Sequence, residues 1–105
     1  MELIKYDHYT LITVYNINDF NALMNELNNS DLQNNSVIIN FLHCHMGHDI
    51  IVNQLLPYHF IWQKRNNSFI LVSNISKKIN KKIISMSTLE ESLDYFHMEQ
   101  LTKNI

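Results

Sequence analysis

Two short apolar runs bounded by polar residues constrain the fold of this chain more than any other feature. They are Val-Ile-Ile-Asn-Phe-Leu at 37–42 and Phe-Ile-Leu-Val at 69–72. Continuous apolar runs of this length are typical of strands that are covered on both faces. The segment 48–65 between them has about the length that a crossover helix requires. The pattern therefore predicts a parallel strand–helix–strand unit with a right-handed crossover.

Strand and helix patterns also alternate on the N-terminal side of this unit. Residues 3–6 and 9–15 are rich in β-branched and aromatic side chains, which favours a hairpin connected by the Asp-His pair between them. A helix follows, with Asn18 as its predicted N-cap and residues 28–35 as the polar surface loop after it. The side chains spaced to form its buried stripe are Phe20, Leu23, Met24 and Leu27.

The C-terminal part continues the alternation. Residues 75–80 predict a short polar helix or turn, and residues 82–85 predict a last strand. Ser87 and Glu90 have the spacing of a capping box that opens a final helix. The predicted buried stripe of that helix is Leu89, Leu93, Phe96 and Leu101. The order β-β-α-β-α-β-α-β-α predicts one α/β domain over residues 1–105, with a mixed sheet of four to five strands and helices packed against it.

Composition excludes several classes of protein. With 46% apolar residues and a net charge of −2, the chain is neither disordered nor a basic nucleic-acid binder. Its single Cys cannot form an internal disulfide, and its single Gly excludes a glycine-rich phosphate loop. It has no apolar run near the ~20 residues that span a bilayer, and its N-terminus lacks the layout of a signal peptide. We therefore expect a cytoplasmic protein without a membrane, nucleic-acid or small-molecule partner.

The middle helix, 48–65, is apolar around most of its circumference and contains Pro57. Proline inside a helix removes a backbone donor, so a kink or a division into two short helices is expected. The surplus aromatic side chains Tyr58, Phe60 and Trp62 favour a partner-binding surface that also includes His48 and Asp49. Alternatively, the kink allows both halves of the helix to bury their apolar residues within the domain.

A cluster of potential metal ligands precedes this helix. It consists of His43, Cys44, His45 and His48, and imidazole and thiolate are the preferred ligands of zinc. The spacing matches no standard zinc motif, and a fourth ligand would have to come from Asp49 or His59. The alternative is a polar loop in which Cys44 packs as a small hydrophobe. We expect no cofactor, with His45 and His48 as the pair best spaced to share an ion if one binds.

No nucleophile, base and orienting group converge in the sequence, so we expect no catalytic residues and no enzymatic activity. Lys77, Lys78, Lys81 and Lys82 form a local basic patch that could meet RNA or an acidic partner. Four lysines without interleaved aromatic residues more commonly form a solvated surface.

Three stretches, in this order and spacing, resemble the STAS domain, the module shared by anti-sigma factor antagonists and sulphate transporter tails. They are the strand at 37–42, Ser-Phe-Ile-Leu-Val-Ser-Asn at 68–74, and Ser-Thr-Leu-Glu-Glu-Ser-Leu-Asp-Tyr at 87–95. The likeness extends in particular to small, divergent STAS-like proteins that some bacteria encode beside ribonuclease Z. The resemblance implies a regulatory domain that presents a surface near the start of the middle helix to a protein partner or to itself.

The resemblance also implies where a regulatory phosphate would be added. In switching members of the family, a Ser or Thr at the start of the helix after the third strand is phosphorylated. The matching stretch here is Met-Gly-His-Asp-Ile at 46–50, and residues 37–67 contain no Ser or Thr. Asp49 supplies a fixed negative charge near that helix start. We therefore predict a non-enzymatic interaction domain without the family phosphoswitch. The alternative hypothesis is a small accessory protein in RNA processing or metal binding, which would use the His/Cys cluster or the Lys patch.

Overall fold

A computed structural model describes residues 1–73 and 83–103, apart from the side chain of His48, and in this part of the chain five strands form one mixed sheet. They are β1 (Glu2–Lys5), β2 (Tyr9–Thr13), β3 (Ser36–Asn40), β4 (Phe69–Val72) and β5 (Ile84–Met86). The strands lie in chain order across the sheet. β1 is antiparallel to β2, and the following pairs are parallel. The predicted α/β class, the hairpin and the parallel central unit are confirmed.

The helices are α1 (Ile17–Leu27), α2 (Ser30–Gln33), α3 (His48–Lys64) and α4 (Leu89–Lys103). α1, α2 and α3 share one buried cluster with side chains from the sheet, among them Ile12, Ile39 and Leu71. α4 covers the opposite face, where Phe96 packs with Ile38 and Ile70. This division is expected when successive crossovers have one hand and therefore place their helices on one face.

The two central strands are buried along their whole length, as continuous apolar runs predict. β3 ends two residues earlier than predicted because the Asn40 side chain accepts a hydrogen bond from the Leu42 N–H at 2.9 Å. This local bond turns the chain out of the strand. The predicted strand at 82–85 is observed as β5, Ile84–Met86, and the predicted element at 75–80 lies outside the described residues.

The helix after the hairpin begins earlier than predicted. Its N-cap is Asn16 and not Asn18, since the Asn16 side chain accepts from the Asp19 N–H at 2.9 Å. The prediction of a loop at 28–35 is also wrong in part, because α2 forms there. Asn29 caps this short helix by accepting from the Asp31 N–H, and the buried Leu32 anchors it to the core.

α3 runs without interruption through Pro57, so of the two predicted outcomes the division into two short helices is wrong, and the kink stays a prediction. The ring at Pro57 removes the N–H that would bond to the carbonyl four residues earlier. Leu55 and Trp62, on either side of Pro57, are both buried in the same core cluster. Packing of both halves against one sheet face therefore outweighs the lost bond.

The capping signal of α4 is displaced by one residue from the prediction. Thr88, rather than Ser87, caps the helix, since its hydroxyl accepts from the Glu91 N–H at 3.1 Å. The Ser87 hydroxyl instead donates to the Glu91 carboxylate at 3.3 Å. Phe96 is buried as predicted, with Leu89 and Leu93 packed beside it. Leu101 is exposed, which contradicts its predicted place in the buried stripe.

None of the helices in the described ranges is long and apolar enough to cross a membrane.

Candidate functional site

The parallel strands β2, β3 and β4 end at one edge of the sheet, where α1 and α3 begin. In open α/β sheets, ligands commonly bind outside these carboxyl ends. We use the name carboxyl-edge surface for five exposed residues that lie there. They are Tyr15, Ile17, His43, Asp49 and Ile50.

An aromatic contact joins the two loops of this surface. The ring of Tyr15, after β2, stacks on the ring of His43, after β3, with centroids 5.7 Å apart and an interplanar angle of 23°. The Tyr15 N–H donates to the Asp19 carboxylate at 3.0 Å, which fixes the backbone before α1. The stack therefore brings the starts of α1 and α3 together at neighbouring strand ends.

Two large apolar side chains of this surface are exposed to solvent. Ile17, in the first turn of α1, is 63% exposed, and Ile50, in the first turn of α3, is 56% exposed. Full burial of an isoleucine side chain stabilises a protein by about 1.5–3 kcal/mol. Because these two side chains are mostly exposed, folding of the chain alone gains only part of that free energy. Both side chains would gain burial if a partner covered this edge of the sheet.

A cavity of about 240 Å³ lies beside this surface, at the ends of β3 and β4. Cys44, His45, Met46 and Ser73 contribute to its wall. Burial raises the pKa of the Cys44 thiol, and the charge of Asp19 raises it further. The thiol is therefore protonated at neutral pH and is a poor nucleophile. Cys44 packs against the core, as the structural alternative for this residue predicts.

Among the described side chains, no three His, Cys, Asp or Glu groups come together as a metal site. His45 is exposed beside the cavity, and His48 opens α3. Because the His48 side chain is not among those described, ion sharing by His45 and His48 stays a prediction. The Lys patch at 77–82 lies outside the described residues.

The structure does not assemble the predicted partner-binding residues into one surface. His48 and Asp49 begin α3, whereas Tyr58 and Phe60 lie near its end, about 15 Å farther along the helix axis. Tyr58 is half-buried, and its hydroxyl accepts from the Asn28 side chain at 3.2 Å. Phe60 remains exposed.

Trp62 must be removed from the predicted surface because it is fully buried. Its indole N–H donates to the Asn35 carbonyl at 2.8 Å, and its ring meets the edge of Phe69 with centroids 5.4 Å apart. The side chain joins α3 to the α2–β3 connection and to the sheet. The structure thus supports the core alternative for this residue.

A second group of polar side chains, not predicted from the sequence, surrounds a cavity of about 280 Å³ at the opposite end of the sheet. We name it the amino-end cluster, and it consists of His59, Ser68, Tyr95, Glu99 and Lys103. The Ser68 hydroxyl donates to the Glu99 carboxylate at 2.8 Å. The Lys103 ammonium donates to the Asn66 carbonyl at 2.9 Å. These bonds attach the end of α4 to the connection between α3 and β4.

Burial is the main cause of the pKa shifts of two rings in the amino-end cluster, those of His59 and Tyr95. Burial lowers the pKa of His59, and the charge of Glu99 opposes this effect. Burial raises the pKa of Tyr95, and Glu99 adds to the increase. The His59 Nδ1 is buried and has no hydrogen-bond partner among the described residues. Both rings are therefore held in their neutral forms near pH 7.

One sequence signal could have identified part of this cluster. Tyr95, Glu99 and Lys103 are spaced by four residues and therefore lie along one side of α4. Ser68 and His59 come from other elements, and only the fold brings them to this stripe.

In comparisons with known protein families and with curated proteins, no family model and no individual protein matches this chain. The functional interpretation therefore depends on the geometry of the two ends of the sheet.

Proposed function

We propose that this chain is a non-enzymatic, STAS-like interaction domain of the cytoplasm that binds a protein partner through the carboxyl-edge surface. The observation that carries the proposal is the exposure of Ile17 and Ile50 in the first turns of α1 and α3, the helices that follow the two loops joined by the Tyr15–His43 stack. The site coincides with the start of the middle helix, where the resemblance to STAS domains implies a partner surface.

The composition of this surface suits a protein rather than a small ligand. Two exposed aliphatic side chains supply apolar area, and the stacked Tyr15 supplies a rigid ring with a polar end. Protein interfaces commonly combine an apolar centre of this kind with a polar rim. Asp49 and His43 are exposed beside the apolar groups and form such a rim.

Two further features support a role without catalysis or phosphorylation. Burial raises the pKa of the Cys44 thiol beside the surface, which keeps the thiol protonated and makes it a poor nucleophile. Asp49 places a permanent charge in the first turn of α3, at the family's modification site. We propose that partner binding here is constitutive rather than switched by a kinase.

The proposal is tested by affinity capture from the native cells with two matched double variants. Ile17→Asp with Ile50→Asp places charges on the carboxyl-edge surface. Met98→Asp with Leu101→Asp changes equally exposed apolar side chains on α4 and serves as the control. We expect wild type and the control to capture the same protein, and the carboxyl-edge variant to lose it. Retention of that protein by the folded carboxyl-edge variant would contradict the proposal.

A further inference from the structure

The residues of the edge strand β1 are exposed on both faces of the sheet. All four of its residues are exposed, including Leu3 at 42% and Ile4 at 38%. These two side chains point to opposite faces of the sheet, and both remain partly exposed, although residues of α1 and α2 border a cavity beside Leu3 and Lys5. An uncovered edge strand with exposed apolar side chains is a template for pairing with another strand.

The hairpin determines which backbone groups of β1 are free. The Tyr6 N–H donates to the Tyr9 carbonyl at 2.9 Å, and these two residues lie opposite each other. Because hydrogen-bonded pairs alternate in an antiparallel ladder, Ile4 and Glu2 also direct their backbone groups toward β2. The N–H and C=O groups of Leu3 and Lys5 therefore point outward from the sheet.

We propose that a second copy of this chain covers this edge, with β1 antiparallel to β1 about a two-fold axis at Ile4. In that register, Leu3 of one copy lies opposite Lys5 of the other, so every outward-pointing backbone group is paired. The two Ile4 side chains meet at the axis. Tyr6 lies opposite Glu2, where its hydroxyl can donate to the carboxylate.

Charge and backbone direction select this register over its neighbours. A shift of one residue places outward-pointing groups opposite inward-pointing ones, so the strands cannot form a ladder. A two-fold axis at Lys5 places two ammonium groups opposite each other, which destabilises a strand pair. An axis at Leu3 places the Glu2 carboxylate opposite the apolar Ile4. The axis at Ile4 avoids the two opposed ammonium groups and gives the Glu2 carboxylate the Tyr6 hydroxyl as its neighbour. Lys5 then lies opposite Leu3, where its methylene chain packs against the apolar side chain and its ammonium group reaches water.

Tyr6 is held in position for this contact. Its ring stacks on Tyr9 with centroids 4.8 Å apart, and Tyr9 meets Phe96 at 5.2 Å. This aromatic row runs from the core under α4 to the open edge. Because the strand is short, we expect a weak dimer with an interface below the ~1,200 Å² typical of stable complexes.

The register is tested by cross-linking in a Cys44→Ala background, which removes the native thiol. Ile4→Cys places two thiols opposite each other at a non-hydrogen-bonded pair, where Cα atoms are about 4.5 Å apart and a disulfide can close. Leu3→Cys is the matched control, because its thiol faces Lys5 of the other copy. We expect about tenfold more disulfide-linked dimer from Ile4→Cys than from Leu3→Cys.

Analytical sedimentation measures the oligomeric state of the wild-type chain at about 5 to 500 µM. Dimers with small interfaces are expected to dissociate and associate over this range of concentrations. A concentration-dependent dimer is expected, and Lys5→Pro should abolish it by removing an outward-pointing N–H that the hairpin does not use. A monomer at every concentration overturns the proposal. Preferential linkage through Leu3→Cys overturns the register, and larger, open-ended species would indicate pairing of β1 with β5 instead. These results leave the test of the carboxyl-edge surface separate, because Ile17 and Ile50 lie on α1 and α3 and not on β1.

Discussion

The two ends of the parallel sheet are built differently. At the amino end, buried or half-buried polar side chains bond to distant parts of the chain, as Trp62 does to Asn35 and Ser68 does to Glu99. At the carboxyl edge, Ile17 and Ile50 remain exposed. Hydrogen bonds between distant elements stabilise the fold. Exposed apolar area adds to the free energy of binding only when a partner covers it. The contrast is one of degree, since Met98 and Leu101 on α4 are also exposed and the Met1 ammonium pairs with Asp19 at 2.8 Å near the carboxyl edge. We propose recognition at the carboxyl edge because its exposed apolar side chains lie in the first turns of two helices, after the loops that the Tyr15–His43 stack joins.

The largest expected effect comes from Trp62→Ala at the amino end. The substitution removes a fully buried ring and leaves the Asn35 carbonyl without its donor. We expect the free energy of unfolding in urea to fall by about 3–5 kcal/mol. Phe60→Ala, two residues earlier on α3, is the control and should cost less than about 1 kcal/mol because that ring is exposed. Similar losses from both variants would remove the distinction between the buried and the exposed aromatic side chains.

A smaller loss is expected when the amino-end cluster loses one hydroxyl. Ser68→Ala deletes the 2.8 Å bond to Glu99 and leaves that carboxylate without this donor. The free energy of unfolding should fall by about 1–2 kcal/mol. Ser87→Ala is the control, since its exposed hydroxyl makes longer contacts to Glu91 and its loss should cost less than about 0.5 kcal/mol. Equal changes in the two variants would show that the Ser68 bond contributes nothing beyond an exposed one.

At the carboxyl edge, we expect almost no change in stability. Each of the single variants Ile17→Asp and Ile50→Asp alters an exposed side chain in the first turn of a helix, where a carboxylate is tolerated. The free energy of unfolding should change by no more than about 0.5 kcal/mol in each case. A loss of 2 kcal/mol or more, well outside the ~0.5 kcal/mol usual for surface sites, would mean that these residues stabilise the fold rather than bind a partner.

The smallest expected effect is a change in the pH dependence of stability. Because burial lowers the pKa of His59 in the folded chain, the unfolded chain takes up this proton first as the pH falls. His59 therefore lowers the free energy of unfolding as the pH falls below about 6.5. The decrease stops once the folded chain also binds the proton. Between about pH 7.5 and 5.5, His59→Gln should lose less stability than wild type does. Parallel urea titrations of the two proteins measure the difference, and identical slopes would exclude a role for His59.

Local patterns predicted those parts of the fold that depend on local burial. β3 and β4 are continuous apolar runs, and their pairing through a crossover helix follows from length and polarity alone. The position of the α4 cap was off by one residue because Ser87 and Thr88 can both accept from the first turn. Only the bonds actually formed distinguish them.

The site was predicted less well because its residues depend on contacts between distant segments. The sequence marks Trp62 as a surplus aromatic, but its partner carbonyl at Asn35 lies on a different element. Ile17 and Ile50 have the same apolar character as the buried residues around them, and only the packing of α1 and α3 reveals that they face solvent. His59, Ser68 and Glu99 likewise come together only after α3 and α4 cover opposite faces of the sheet.

The assignment of recognition to the carboxyl edge is tested most directly by site-specific photo-cross-linking in the native cells. A photoreactive amino acid replaces Ile50 in one protein and Leu101, on the exposed side of α4, in another. We predict a discrete covalent adduct with a partner from position 50, lost when Ile17→Asp is added, and none from position 101. An adduct of equal yield from both positions, or one from position 101 alone, would contradict the assignment.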